Sequence, residues 1–267
     1  MASASSGTAV DESLRVTLNF HPDRWVAGLP ILESMARDGV YRSQFETGSS
    51  NGGLTAHPGG DRWRWESRIF DGAYDDAAPQ ERPKYGALNH RGRPAGASPR
   101  FGSAHLRLSG EVLARTTFCF PDSFLEPVHF AVAAKMSLIG LAEAADVDRL
   151  DDYIEAQVHG PLRFGHDVEA LVLDPCFRGT EVEERARRPP CPVEWHDGFN
   201  LSTSEMRRHP EFRGQEFVDL GLEIARDRQL DARIIGQAAD TGSYDEQALK
   251  RVWHYVARFG LPPENAT

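Results

Sequence analysis

From Tyr153 to His159 the chain reads Tyr-Ile-Glu-Ala-Gln-Val-His, an unbroken alternation of two kinds of side chain. Successive side chains of an extended strand point to opposite faces, so Ile154, Ala156 and Val158 share one face and Tyr153, Glu155, Gln157 and His159 the other. A period of two is a strand signature, not a helical one. The segment is therefore a strand with one apolar face and one face carrying a carboxylate between hydrogen-bonding groups. Such a strand suits the floor of a cleft, where a fixed Glu stabilises developing positive charge or accepts a proton. Taken alone, the same pattern also describes a half-buried strand with a solvated polar face.

Other strands are expected at Arg15–Phe20, Val40–Glu46, Phe101–Leu108, Thr116–Phe120 and Val168–Leu173. Pro22 cannot donate to a ladder and ends the first of them. Helical spacing of Ile31, Leu32 and Met35 predicts a helix over Leu29–Arg37 with Gly39 as its cap. Further helices are expected at Trp63–Phe70 and Pro127–Ala145. The polar loop Thr47–Gly53 is small enough to pack against a ligand, and residues 54–100 are otherwise the least regular part of the chain. A charged helix at Glu181–Arg188 and a Pro-rich joint precede a tail that is helical from Glu211 onward, with a helical hairpin turning at Thr241-Gly242. The fold class expected is α+β, with residues 1–13 a disordered lead-in, 14–178 the functional domain and 179–267 a helical extension packed on it.

A formal net charge of -10 argues against general binding to nucleic acid or to an anionic membrane surface. No apolar run reaches the ~20 residues of a membrane span. The three cysteines form no CxxC pair, and the histidines lack the spacing of a strand-borne or helix-borne metal site, so no metal is expected. A reducing cytoplasm is the default compartment, or export by a route without a visible signal peptide. The chain has neither a GxGxxG nor a GxxxxGK[ST] arrangement. Cys119, between Phe118 and Phe120, reads as packing.

Three pieces then stand in a familiar order: Val40-Tyr41-Arg42-Ser43-Gln44-Phe45-Glu46-Thr47-Gly48; Phe101–Leu108 leading into Arg115-Thr116-Thr117-Phe118 with Pro121-Asp122-Ser123; and Tyr153–Gly160. They resemble the ADP-ribosyltransferase-like domains of bacterial exotoxins and polymorphic toxins, over residues 14–175. The whole chain also resembles a bacterial and fungal family catalogued as a domain of unknown function. The resemblance implies two small packed β-sheets with NAD, as substrate, in the cleft between them. It implies NAD contacts from His21 and Arg24, a supporting segment of Ser43, Gln44, Phe45 and Thr47, and catalysis by Glu155. Many of these transferases carry Gln or Glu two residues before the catalytic Glu to engage the acceptor. Here Tyr153 stands there and Gln157 follows two residues after, so Gln157 joins Glu155 as a catalytic candidate and modification of arginine is not supported.

Splitting a glycosidic bond to a cationic pyridinium needs negative charge beside the ribose and no acid, so one carboxylate suffices. The leading expectation is an enzyme that cleaves the nicotinamide–ribose bond and passes ADP-ribose to a macromolecular or small-molecule acceptor, or to water. Two others are kept: a non-catalytic nucleotide- or peptide-binding protein, and an NAD-independent hydrolase pairing Glu46 with Glu155.

Overall fold

The computed structural model describes residues 5–48 and 53–261. Its centre is one sheet of eight strands: β1 (Val16–Phe20), β2 (Lys84–Leu88), β3 (Ala104–Leu108), β4 (Thr116–Phe120), β5 (His129–Val132), β6 (Ile154–Val158), β7 (Val168–Leu173) and β8 (Val193–Trp195). The order across the sheet is β8-β7-β3-β1-β2-β6-β4-β5. Neighbours are antiparallel except β7 and β8, which run parallel at one edge. The expected pair of small sheets is thus a single continuous one, because β1 and β6 each hydrogen-bond a strand on both sides and leave no seam. Among the described residues the remaining strand pairs are two-residue ribbons, such as Val40–Tyr41 with Leu162–Arg163.

Helix α1 (Ile31–Asp38) ends where Gly39 takes the left-handed conformation, at φ 64°, and returns its N–H to the Met35 carbonyl. The expected strand Val40–Glu46 stops after Tyr41 and gives way to α2 (Gln44–Thr47). A capping box decides this: Ser43 Oγ accepts from the Glu46 N–H at 3.2 Å, and Glu46 Oε2 accepts from the Ser43 N–H at 2.7 Å. Most of the expected Thr47–Gly53 loop lies outside the described residues. Helix α3 (Asp61–Ile69) follows as expected.

The helix expected over Pro127–Ala145 divides into edge strand β5 and a shorter helix, α4 (Leu138–Ala144). Spacing that looks helical there also places Ala131 in the core when the segment is extended and paired with β4. Strand β2 lies in the stretch read as irregular.

Beyond α5 (Glu181–Ala186) come α6 (Thr203–Met206), α7 (Gln215–Ile224), α8 (Ala232–Asp240) and α9 (Glu246–Phe259). Helices α8 and α9 start at Asp231 and Asp245, whose carboxylates accept from the Ile234 and Ala248 N–H groups. One apolar core contains Leu18, Phe20, Ile154 and Val158 from the sheet together with Val252, Trp253 and Val256 from α9. No helix among the described residues is long and apolar enough to cross a membrane.

Candidate functional site

A cleft of about 410 Å³ is lined by residues of β1, β2 and β6 together with residues of α1 and α9. Its walls include Phe20 of β1 and His21 after it, Tyr85 and Gly86 of β2, Glu155 of β6 and Tyr153 just before it, Arg62 of α3, the Asp122–Phe124 turn, and Lys250 and Trp253 of α9. That is a volume typical of small-ligand sites.

The alternation of β6 holds, but both of its faces are buried. Ile154, Ala156 and Val158 enter the main core, while Glu155, 7% exposed, looks into the cleft. Glu155 Oε2 accepts from the Ser123 N–H at 3.1 Å and from Ser123 Oγ at 2.7 Å. Its Oε1 accepts from Gln157 Nε2 at 3.1 Å and lies 3.9 Å from Arg62 Nη1. Burial pushes the Glu155 pKa upward, and Arg62 and the two Ser123 donors oppose that shift by favouring the charged form. Arg62 is itself held: Nη1 donates to Ser123 Oγ at 2.7 Å, and its guanidinium stacks 3.8 Å over the Tyr85 ring. The floor of the cleft is a carboxylate with an arginine behind it.

Asp122 corrects the expectation of a single carboxylate. It lines the cleft beside Glu155, its Oδ2 takes a hydrogen bond from the Tyr153 hydroxyl, and its buried Oδ1 has no partner among the described residues. Burial and the Asp122 charge keep the Tyr153 hydroxyl protonated far above the usual range. His21 packs edge-on against Trp253, ring centroids 5.0 Å apart. Burial, with Arg24 and Lys250 nearby, lowers its pKa to about 3, so it offers the cleft a neutral imidazole.

The cleft gathers five of the residues expected from the sequence: His21, Arg24, Gln44, Thr47 and Glu155. Three others do not line it. Ser43 is committed to the helix cap and to the Pro79 carbonyl, which it reaches at 2.6 Å. The Phe45 ring lies under the Arg82 guanidinium at 4.1 Å. Gln157 is fully buried behind Glu155. Glu46 belongs to the same cap as Ser43, so the pairing of Glu46 with Glu155 across the cleft is not formed. Arg62 and Trp253 give no local signal in the sequence, because each is placed by partners far along the chain. The Asp122-Ser123 pair was visible in the Pro121-Asp122-Ser123 turn, though not its role. Among the described residues no group of three or more His, Cys, Asp or Glu is arranged to hold a metal ion.

The family model described as "Protein of unknown function (DUF3626)" matches residues 15–139 and 128–259. No curated protein matches the chain. Among solved structures, Thermus sp. 2.9 DarT in complex with NAD+ is similar at 14% identity with a TM-score of 0.41, over 71% of this chain and 98% of that one.

Proposed function

The chain belongs to the DUF3626 family of proteins of unknown function, and we propose that it is an ADP-ribosyltransferase-like enzyme that cleaves the nicotinamide–ribose bond of NAD and passes ADP-ribose to an acceptor or to water. The observation that carries this reading is Glu155, a carboxylate fixed by Ser123 and Gln157 at the floor of a ligand-sized cleft. The resemblance of the Tyr153–Gly160 strand to the transferase pattern points to the same residue.

As the bond from the ribose carbon to the pyridinium nitrogen breaks, its electron pair neutralises nicotinamide and positive charge develops on the ribose. A preorganised carboxylate in a water-poor site stabilises that charge without reorganising. Arg62, 3.9 Å away, favours the charged form of Glu155 against the burial that raises its pKa. The acceptor then bonds to the ribose carbon and loses a proton. Asp122, with one oxygen free of partners among the described residues and the other held by Tyr153, is the group placed to take it. In the transferase pattern the residue two before the Glu engages the acceptor. Here Tyr153 holds Asp122 at that point instead. Although the chain carries a net charge of -10, Arg24, Arg42, Arg100 and Lys250 all line the cleft, which favours a ligand bearing phosphates.

The Asp122 carboxylate beside Glu155 also favours a second reading, an acid and base pair for a hydrolase unrelated to NAD. Incubation with NAD separates the two. The wild type is expected to release nicotinamide and Glu155→Gln to lose about 100-fold or more in kcat, the scale of one lost electrostatic stabiliser. Full turnover by Glu155→Gln would remove Glu155 from the chemistry. Stabilisation by NAD with no nicotinamide released would leave a binding protein.

A further inference from the structure

Behind Glu155, away from the cleft, runs a series of hydrogen bonds in which every donor is determined. Glu155 Oε1 is an acceptor, so the Gln157 amide must turn its Nε2 toward it, at 3.1 Å. The second proton of that amide points to Cys119 Sγ at 3.4 Å. Gln157 Oε1 is then left to accept from Thr117 Oγ1 at 3.0 Å. Thr117 has only one proton to give, so its contact with His159 Nε2, also 3.0 Å, has the imidazole as donor. That tautomer leaves His159 Nδ1 bare to accept from the Tyr74 hydroxyl at 2.7 Å. Tyr74 stacks on the imidazole with their planes 10° apart, and Phe70 packs edge-on against it.

We propose that Thr117 and His159 are positioning residues for Glu155, acting through Gln157 to hold the cleft-facing carboxylate in place. The proposal rests on Glu155 being the charge-stabilising group of the reaction. Gln157 thereby acquires a role different from contact with the acceptor: it passes the orientation set by Thr117 to Glu155 Oε1. The series is not a proton wire, because the Gln157 amide cannot hand on a proton without forming an imidic acid. It works as a set of aligned dipoles, each donor sharpening the next. Neutral His159 fits its place. Burial with Arg115 and Lys84 nearby lowers its pKa to about 4, so one tautomer persists through the neutral range.

The geometry makes the idea separable from NAD binding. Thr117, His159 and Tyr74 line a different, open hollow, with Phe70, and none of them lines the cleft. In Thr117→Val the shape of the side chain is kept and its hydroxyl is lost. The Gln157 amide is then free to rotate its oxygen toward Glu155, which disfavours the carboxylate.

The test follows the Glu155 carboxyl by carbon-13 NMR during a pH titration of the wild type, Thr117→Val and Thr117→Ser, with Glu155→Gln to assign the signal. Thr117→Val is expected to move the Glu155 midpoint upward and Thr117→Ser to restore it. In parallel, kcat for nicotinamide release is expected to fall roughly tenfold in Thr117→Val with KM for NAD held within about twofold, the pattern of an interaction lost in the transition state alone. An unchanged midpoint in Thr117→Val overturns the proposal. If the wild type releases no nicotinamide, the catalytic reading fails by itself, and the titration still decides whether Thr117 positions Glu155. Should Thr117→Val not fold, Thr117→Ala removes the same hydroxyl and is judged by the same midpoint.

Discussion

At the scale of single residues, the groups that stand out are those whose burial is not matched by partners. Asp23, beside the cleft-lining Arg24, has a buried oxygen, Oδ1, with no partner among the described residues, and its Oδ2 faces Gly236 of α8. Burial raises its pKa from 3.8 to about 6, against the opposing charge of Arg24. The folded protein therefore holds the Asp23 proton more tightly than the unfolded chain does. Its contribution to stability is complete below pH 3.8 and is lost as the pH rises through about 6. Asp23→Asn, neutral at every pH, should then be more stable than the wild type at pH 8, by up to about 3 kcal/mol, with the difference vanishing below about pH 4. Urea denaturation at the two pH values checks this, and an equal effect at both would rule out the buried charge as its source. The same principle explains which site residues could be seen in the sequence. Glu155 stood out because strand alternation placed it among polar neighbours. Arg62 and Asp122 did not, since what makes them notable is the burial and the partners that distant segments supply.

At the scale of elements, strand β2 shows why a segment can be missed. Its sequence, Lys-Tyr-Gly-Ala-Leu, has a glycine at the centre, where strands are usually β-branched or aromatic. Gly86 is there because β1 passes too close for a side chain: a Cβ on it would lie 2.6 Å from the Thr17 carbonyl oxygen and 3.0 Å from Leu18 Cδ1. Replacing glycine with alanine in an extended backbone commonly adds about 0.4–1 kcal/mol by restricting the unfolded chain. At Gly86 the sign should reverse, with Gly86→Ala costing about 1–3 kcal/mol, because the obstacle is backbone and the β1 to β2 pairing must part to relieve it. Gly140, exposed in α4 with open space for 4 Å around the point where a Cβ would stand, is the control: Gly140→Ala should stabilise by up to about 1 kcal/mol. Urea midpoints for the two variants give the answer, and a stabilised Gly86→Ala would mean that the strands are not so closely apposed. Local patterns were enough for β1, β4, β6, β7 and α1, whose period and caps agree with their surroundings. They were not enough for Val40–Glu46, where the Ser43 and Glu46 capping box outweighed a strand-like composition, nor for β5, where pairing with β4 outweighed helical spacing.

At the scale of the whole molecule, the expected organisation was a body with a helical extension packed on it, and what bears on stability is how the two meet. Trp253 of α9 is 1% exposed, donates from Nε1 to the Pro99 carbonyl at 2.9 Å, and packs edge-on against both Phe199 and His21. The apolar core it belongs to also contains Phe20 and Leu106 of the sheet as well as Val252 and Val256 of its own helix. Nothing local to Trp253 in the sequence could reveal that the core it joins is also that of the sheet. A core shared in this way leaves the C-terminal helices no separate interior to retain once the sheet unfolds. Unfolding should therefore be a single transition, with tryptophan fluorescence and far-ultraviolet circular dichroism giving coincident curves. Trp253→Ala should lower that one transition by about 3–5 kcal/mol, as for a large aromatic removed from a packed core, without splitting it in two. Because Trp253 also forms a wall of the cleft and holds the His21 ring, the same variant should weaken the stabilisation that NAD gives to the folded protein. Two separated transitions, with only the later one shifted by Trp253→Ala, would instead make the helical tail an independent unit whose contact with the cleft is incidental to folding.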